Sequence, residues 1–454
     1  MRIANLCLLP PIIVGIFSGK KKPESSLEYL SEFINELEDL LCNGISIRDS
    51  DCEVVVNALI CDSPARAFVC GVKGHNSYYG CSKCEQKGTY YRRRIVYCSK
   101  VKVLRTDRSF AVKKNRNHHN EESPFEKINV GMVSQVPLDP MHLVYLGVVR
   151  KILFLPCKGD IRKCRLSAQQ RISVTNILKS LRTEIPTEFA RKPRGFDEVE
   201  RWKATECRLF LLYLSPMVLK GVLDGSYYRH LLCLHVAVRI LSSSQSSCEE
   251  LDYAEQLLQY FVEQFSKLYG KENLSFNVHG LLHLVSDSRR YGSIEAFSAF
   301  PYENNLHTVK KLIRSHNRPL QQLVKRISET CLAPASIATS QEFLFDSKKQ
   351  MLRAKGFVLT SNPPDCVCRV DTGEVIQICK ILKENEMTII RGRAYQSLRN
   401  FYESPCASSE LGIYLCKRKN LGSLKDYPVN SVIGKCMGLT YNRHDVILIP
   451  LLHV

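Results

Sequence analysis

The sequence predicts a mixed α/β protein with an α/β beginning, an irregular cysteine-bearing insertion, an all-helical middle and a small all-β end. Three observations predict it. Up to Asp62 the chain alternates strand-like and helix-like patterns, from about Ser167 to Tyr269 it is helix-patterned almost throughout, and about the last hundred residues are short β runs between turns. At 454 residues, 44% hydrophobic and 24% charged, the chain is long enough for two or three domains with cores and is not of disordered composition.

The elements follow in order. Leu6 to Phe17 reads as a strand; its early Arg2 and apolar run superficially suggest a signal peptide, but Pro10 and Pro11 break the run and no small-residue cleavage site follows. "SSLEYLSEFINELEDLLCNG" spaces its apolar residues for a helix and stops at Gly44. "CEVVVNALICD" is β-rich and ends at Asp62. From about Lys73 to Lys127, Gly, Tyr, Arg, His and Asn dominate, an irregular basic insertion. Order resumes in "VSQVPLDPMHLVYLGVVRKIL", with a turn at Leu138–Pro140 and a helix after it. "LDYAEQLLQYFVEQFSKLYG" is an amphipathic helix with a glycine stop, and "NVHGLLHLVSDSRRYG" is another helix. Beyond a linker, "CVCRVDTGEVIQICKIL" is two β runs around an Asp-Thr-Gly turn, and "EMTIIRGRAY" and "DVILIPLLHV" add further strands.

Bulk chemistry narrows the partners. Sixty-four basic against forty-five acidic residues give a net charge of +19, which favours polyanionic partners, nucleic acid foremost. Twenty cysteines scattered through a long chain point to a reducing compartment, mostly buried thiols and at most one metal cluster. No run reaches the roughly 20 apolar residues of a membrane span.

Several residues could carry chemistry. Asp62 ends an apolar strand, where α/β folds place active-site groups, yet before Pro64 it is equally a turn carboxylate. Cys81-x-x-Cys84 is a metal half-site, since a two-residue spacer lets both thiolates reach one tetrahedral ion. The other half would come from His118 and His119, or from Cys70, His75 or Cys98; two buried thiols are the plain alternative. Asp139 and His142, three apart at a helix start, can face one side, although Asp139 also reads as a helix N-cap. His279 and His283 share a helical face and could ligate a metal, but among Leu281, Leu282 and Leu284 they read as core histidines. Glu303 heads a basic helix, as a ligand or as a dipole-compensating start.

Taken together, "CDSPARAFVCGVKGHNSYYGCSKCEQKG", "VSQVPLDPMHLVYLGVVRKIL", "IPTEFARKPRGFDEVERWKATECRLFLLYLSPMVLKGVL" and "FSAFPYENNLHTVKKLIRSHNRPLQQLVKRISE" closely resemble, in order, the animal branch of CACTA (EnSpm-like) DDE transposases. The resemblance implies an RNase H-like core interrupted by a helical insertion, and three acidic residues holding two divalent ions, usually Mg2+. Two ions suit in-line attack on a phosphodiester, one activating the nucleophile and one holding the leaving oxygen. By the resemblance, Asp62 matches the second catalytic Asp, Glu303 the catalytic Glu, and Asp139 with His142 an Asp-x-x-His signature. Cys81 and Cys84 match the family's cysteine pair, half of a Zn2+ knuckle for which His118 and His119 are the proposed partners.

One departure matters. Relatives carry their first catalytic Asp on a strand before the one that opens here, whereas this sequence has no acidic residue before Glu24, so the first strand is expected to be incomplete. Two-ion sites lacking a carboxylate bind metal poorly. The expectation is a transposase-derived DNA-binding protein, N-terminally truncated and inactive as written; the alternative is a non-catalytic nucleic-acid-binding or protein-interaction protein. Arg92, Arg93, Arg94, Lys310, Lys311 and Arg314 are the expected phosphate contacts. DNA is the implied partner, with homo-oligomer formation left open and neither a membrane nor a small-molecule substrate; the family implies a nuclear location after cytoplasmic synthesis. The expected layout is 1–150 as the first part of the core with its insertion at about 73–127, 151–275 as helical insertion, 276–335 as the last part of the core, 336–355 as linker and 356–454 as a small β-rich domain.

Overall fold

The apolar positions of Ser26–Asn43 fall on one helical stripe, and the computed structural model forms that helix as the first regular element of the chain. Ser25 caps it by accepting a bond from the Glu28 N–H, and Gly44 ends it at φ +69°, a conformation that favours glycine. Ile34 and Leu37 bury against Cys70, Val72, Phe110, Phe125 and Val136. Each such side chain removed from water stabilises by about 1.5–3 kcal/mol. The structure describes residues 11–47, 50–159, 164–315, 317–331, 343–354, 356–384 and 387–452. They divide into two compact units, Met1–Val144 with Lys271–Ala338 and Tyr145–Gly270 with Thr339–Val454. Among the described residues no helix is long and apolar enough to cross a membrane.

Two expected strands of the first unit differ from expectation. Residues 11–17 are in no strand among the described residues, and the start of that expected strand lies outside them. Of "CEVVVNALICD" only its first residue, Cys52, lies in a strand, Ser50–Cys52, paired with Ile45–Ile47; residues 53–60 are irregular and Cys61 forms a single parallel bridge to Leu138. The physical reason lies in the partners. Leu59 N–H donates to Gln135 O and the Gln135 side-chain amide donates to Val56 O, so a loop supplies the bonds a neighbouring strand would have supplied. Val55 in the middle of the run is 71% exposed. The cysteine-bearing insertion is irregular as expected, with one short hairpin, Thr89–Tyr91 and Arg94–Val96. After Asp139 the chain winds into a wide-turned π-helix, Met141–Val149, continued by the α-helix Arg150–Lys158.

The second unit combines helices with a sheet. Gly225–Ser242 and Cys248–Tyr269 pack together, His230 stacking on Phe261 with centroids 4.0 Å apart. The end of the chain is all-β, as its alternating pattern predicts. Its eight-stranded antiparallel sheet runs in the order Arg399–Asn400, Tyr414–Lys417, Asp445–Pro450, Val432–Thr440, Val367–Val370, Val375–Glu384, Met387–Tyr395, Leu421–Pro428. The Asp-Thr-Gly turn joins two of these strands, with Gly373 at φ +82°. Part of the expected linker lies outside the described residues; Phe343–Asp346, Met351–Ala354 and Val358–Thr360 make a separate three-stranded sheet.

Candidate metal centre

A short loop after residue 80 presents two thiols, and the helix Phe276–Tyr291 presents two imidazoles one turn apart. The fold brings them together. Cys84 Sγ lies 3.5 Å from Cys81 Sγ and 3.2 Å from His279 Nε2; Cys81 Sγ is 3.6 Å from His283 Nε2, and the two Nε2 atoms are 3.4 Å apart. All four ligand atoms lie within 4.8 Å of one another, and all four residues are buried. A tetrahedral ion with metal–sulfur bonds of about 2.3 Å and metal–nitrogen bonds of about 2.05 Å spaces its ligands about 3.8 Å (S to S), about 3.5 Å (S to N) and about 3.4 Å (N to N). The cluster is a Cys2His2 cage of that size and can hold a metal such as zinc.

The surroundings orient the ligands. His279 Nδ1–H donates to Cys98 O at 3.1 Å, which leaves Nε2 to face the sulfurs. Tyr97 stacks on the His279 ring with centroids 5.2 Å apart and planes 18° apart, and its hydroxyl donates to Ser77 O. Arg105 Nε donates to Cys81 O. Lys83, between the two cysteines, donates to Asp287 Oδ1 at 2.6 Å and to Val133 O at 2.9 Å. Asp287 is the next residue after His279 and His283 on the same helical face, so one stripe at i, i+4 and i+8 grips the whole Cys-Ser-Lys-Cys loop. Gly280 lets the helix approach closely, since a Cβ there would meet Leu143 Cδ1 at 2.6 Å.

Electrostatics divide the thiols. Burial opposes ionisation of Cys81, but hydrogen bonds from Cys84, His283 and His279 outweigh it and hold the thiol well below its usual range. Cys84, bonded to the Cys81 sulfur and buried, is pushed strongly up.

The expected second half of the site is corrected. His118 and His119 do not join the cage. His118 donates through Nδ1 to Tyr79 O at 2.6 Å, burial pushes its pKa down to about 4, and both rings pack on Phe110. Cys70 sits in the apolar core, the His75 ring packs on Phe276, and Cys98 contributes a carbonyl rather than its thiol. The histidines read as core residues, His279 and His283, are the ones that meet the cysteines.

The acidic candidates stand apart. Half-buried Asp62 caps the helix Ser63–Val69, its Oδ1 accepting from Ala65 N–H at 2.7 Å. Because Cys61 makes a single parallel bridge to Leu138, Asp62 and Asp139 each follow a bridged residue. Asp139 is buried and accepts from the N–H groups of Met141, His142 and Ala299 and from His142 Nδ1. Hydrogen bonding to Asp139 raises the His142 pKa, burial opposes it, and the charges of Asp139, Asp62 and Glu303 add to the rise. Glu303 is exposed on the first turn of Phe300–Leu312. Among the described residues, the Cys2His2 cluster is the one group of three or more potential ligands that converges; Asp62, Asp139 and Glu303 do not gather within ligand distance. Arg92, Arg93, Arg94, Lys310, Lys311 and Arg314 are all exposed, Arg92 in an ion pair with Glu272 at 2.7 Å.

Residues 338–451 match a family model described as a domain of unknown function (DUF8592), which covers the β region and none of the cage residues. No curated protein and no solved structure matches the chain.

Proposed function

We propose that this chain is a transposase-derived nucleic-acid-binding protein whose first unit is stapled by a structural zinc ion and whose cutting chemistry is incomplete. The reading rests on the contrast between its two candidate sites. The Cys2His2 cage has four ligands at tetrahedral spacing. The proposed magnesium carboxylates, Asp62 and Glu303, form no such group among the described residues: Asp62 caps its own helix through Oδ1, Glu303 is exposed, and Asp139 of the neighbouring Asp-x-x-His signature is engaged by four donors, which fills the roughly four lone-pair positions of a carboxylate. The parallel bridge Cys61–Leu138 just before Asp62 and Asp139, with Ala299 tied to Asp139 just before the Glu303 helix, supports descent from an RNase H-like core. The net charge of +19 and the exposed arginines supply phosphate contacts.

The test uses the full chain as purified. Expected are close to one equivalent of zinc, DNA binding that weakens steeply with salt, and no magnesium-dependent strand cleavage. Cleavage in Mg2+ that disappears in both Asp62→Ala and Glu303→Ala would overturn the inactive reading, and zinc-free folded protein would remove the staple.

A further inference from the structure

The hairpin Thr89–Tyr91 and Arg94–Val96 turns through two residues, Arg92 and Arg93, at φ 46° and 64°. A two-residue loop with both central residues at positive φ is a type I′ turn, whose favoured occupants are Asn-Gly, Asp-Gly and Gly-Gly. Arginine at both places costs on the order of 1 kcal/mol each in backbone strain, and strain of this kind persists where the side chains at the tip serve a purpose. Both side chains are exposed, with Arg94 beside them. Arg92 keeps one carboxylate partner, Glu272; among the described residues Arg93 and Arg94 form no ion pair. Lys271 lies 5.3 Å from the centroid of the Tyr91 ring, adding a further cation beside the tip.

The hairpin is also rigidly rooted. Its second arm runs directly into Tyr97, whose N–H donates to Leu274 O at 2.9 Å and whose ring stacks on the metal-facing His279. Cys98, one residue further, holds the other nitrogen of that histidine. Each three-residue arm extends about 10 Å, and a two-stranded ribbon is narrow enough for the roughly 12 Å major groove of duplex DNA, with phosphates on either side of its tip. The Tyr91 ring that opens the turn is lined by cations, Arg92 at 5.5 Å and Lys271 at 5.3 Å from its centroid, and the exposed Tyr90 sits one residue further back, so the tip itself presents charge rather than an open ring, which favours a duplex over a single strand.

We propose that this hairpin is a groove-inserting element that places Arg92 and Arg93 between the phosphate rails of a DNA duplex, with the Cys2His2 cage as its foundation. The proposal rests on the nucleic-acid-binding reading above. The decisive variant is Arg92→Asn combined with Arg93→Gly in the full chain, because Asn-Gly is the pair the turn prefers and the hairpin therefore stays formed. The probes are a 30-base-pair duplex and a 30-nucleotide single strand, each titrated across a series of salt concentrations. Expected are a loss of duplex affinity on the order of tenfold, a plot of log affinity against log salt shallower by about two, and zinc content and melting temperature unchanged or raised. A wild-type chain that binds duplex while the double variant binds it equally, with the same slope, would overturn the hairpin assignment and leave nucleic-acid binding standing. Preference for the single strand, lost in the variant, would overturn the groove assignment. A wild-type chain that binds neither probe would remove the underlying reading as well.

Discussion

The two units solve the stability problem differently. In the second, an eight-stranded sheet buries a continuous apolar cluster that includes Val367, Ile376, Ile378, Ile390 and Leu448. In the first, the described strands are two two-stranded ribbons and three isolated bridges, one of them parallel, and long stretches are irregular. Irregular chain buries less apolar area per residue and must satisfy its backbone groups one at a time. The first unit does so with discrete polar fasteners, among them the Cys2His2 cage, the Lys83–Asp287 pair and Arg66, which donates to Pro137 O and Cys61 O. Area holds one unit and specific atoms hold the other.

That contrast can be broken at several points, and the largest effect belongs to the cage. Cys84→Ser, or removal of the metal by a chelator, is expected to unfold the first unit or destabilise it by about 5 kcal/mol or more, since metal binding there is folding free energy. Differential scanning calorimetry should show the transition of the second unit unmoved, and a single cooperative loss of both units would refute the contrast. Next in size is a buried charge of the second unit. Lys435 is fully buried and donates to Glu188, to Asp365 and to Val358 O. Lys435→Met leaves two buried carboxylates without their cation and is expected to cost about 3–5 kcal/mol, read as a lowered melting temperature of the second unit alone.

The third prediction concerns acid. Burial pushes His230 down to about 4 from an ordinary 6.5, while its Nε2–H donates to Phe261 O at 2.8 Å. The unfolded chain therefore takes up this proton at a higher pH than the folded one. Stability from the neutral ring is complete above pH 6.5 and is lost as pH falls toward 4, by up to about 3 kcal/mol. His230→Gln keeps the donor and removes the titration, so its acid limb should be shallower in a pH series of chemical denaturation curves. The smallest effect is at Asp62. Asp62→Ala removes a helix cap and is expected to cost about 1 kcal/mol, whereas Asp62→Asn should cost a few tenths. The same loss with and without magnesium would mark Asp62 as a cap; a magnesium-dependent loss would mark it as a ligand.

Much of this was legible in residue patterns, and the misses have physical causes. The helix Ser26–Asn43 was readable because its apolar spacing and Gly44 stop agree, and the Asp-Thr-Gly turn because short strands flank it. The β-branched run at Val54–Val56 misled because strand propensity reports a fit to a pleated surface, and no neighbouring strand lies beside it. The cysteine pair was visible, but its partners were sought nearby, in His118 and His119. His279 and His283 looked like core residues because the helix is buried on several faces, Leu281 and Leu284 as fully as the histidines. The usable signal is the stripe His279, His283 and Asp287, three polar groups at four-residue spacing among the buried residues of one helix.

The separation of those ligands along the chain has a consequence for biosynthesis. Cys81 meets His283 across 202 positions and Cys84 meets His279 across 195, and the whole stretch Tyr145–Gly270 of the other unit lies between. At about 5–20 residues per second, the thiols wait some ~10–40 s after emergence before their imidazoles exist. The inserted helices can fold in that interval, whereas the cage forms only near the end. The nascent chain therefore passes through a period in which two unprotected sulfurs are open to oxidation or to the wrong metal, and the time taken to synthesise the intervening stretch sets its minimum length.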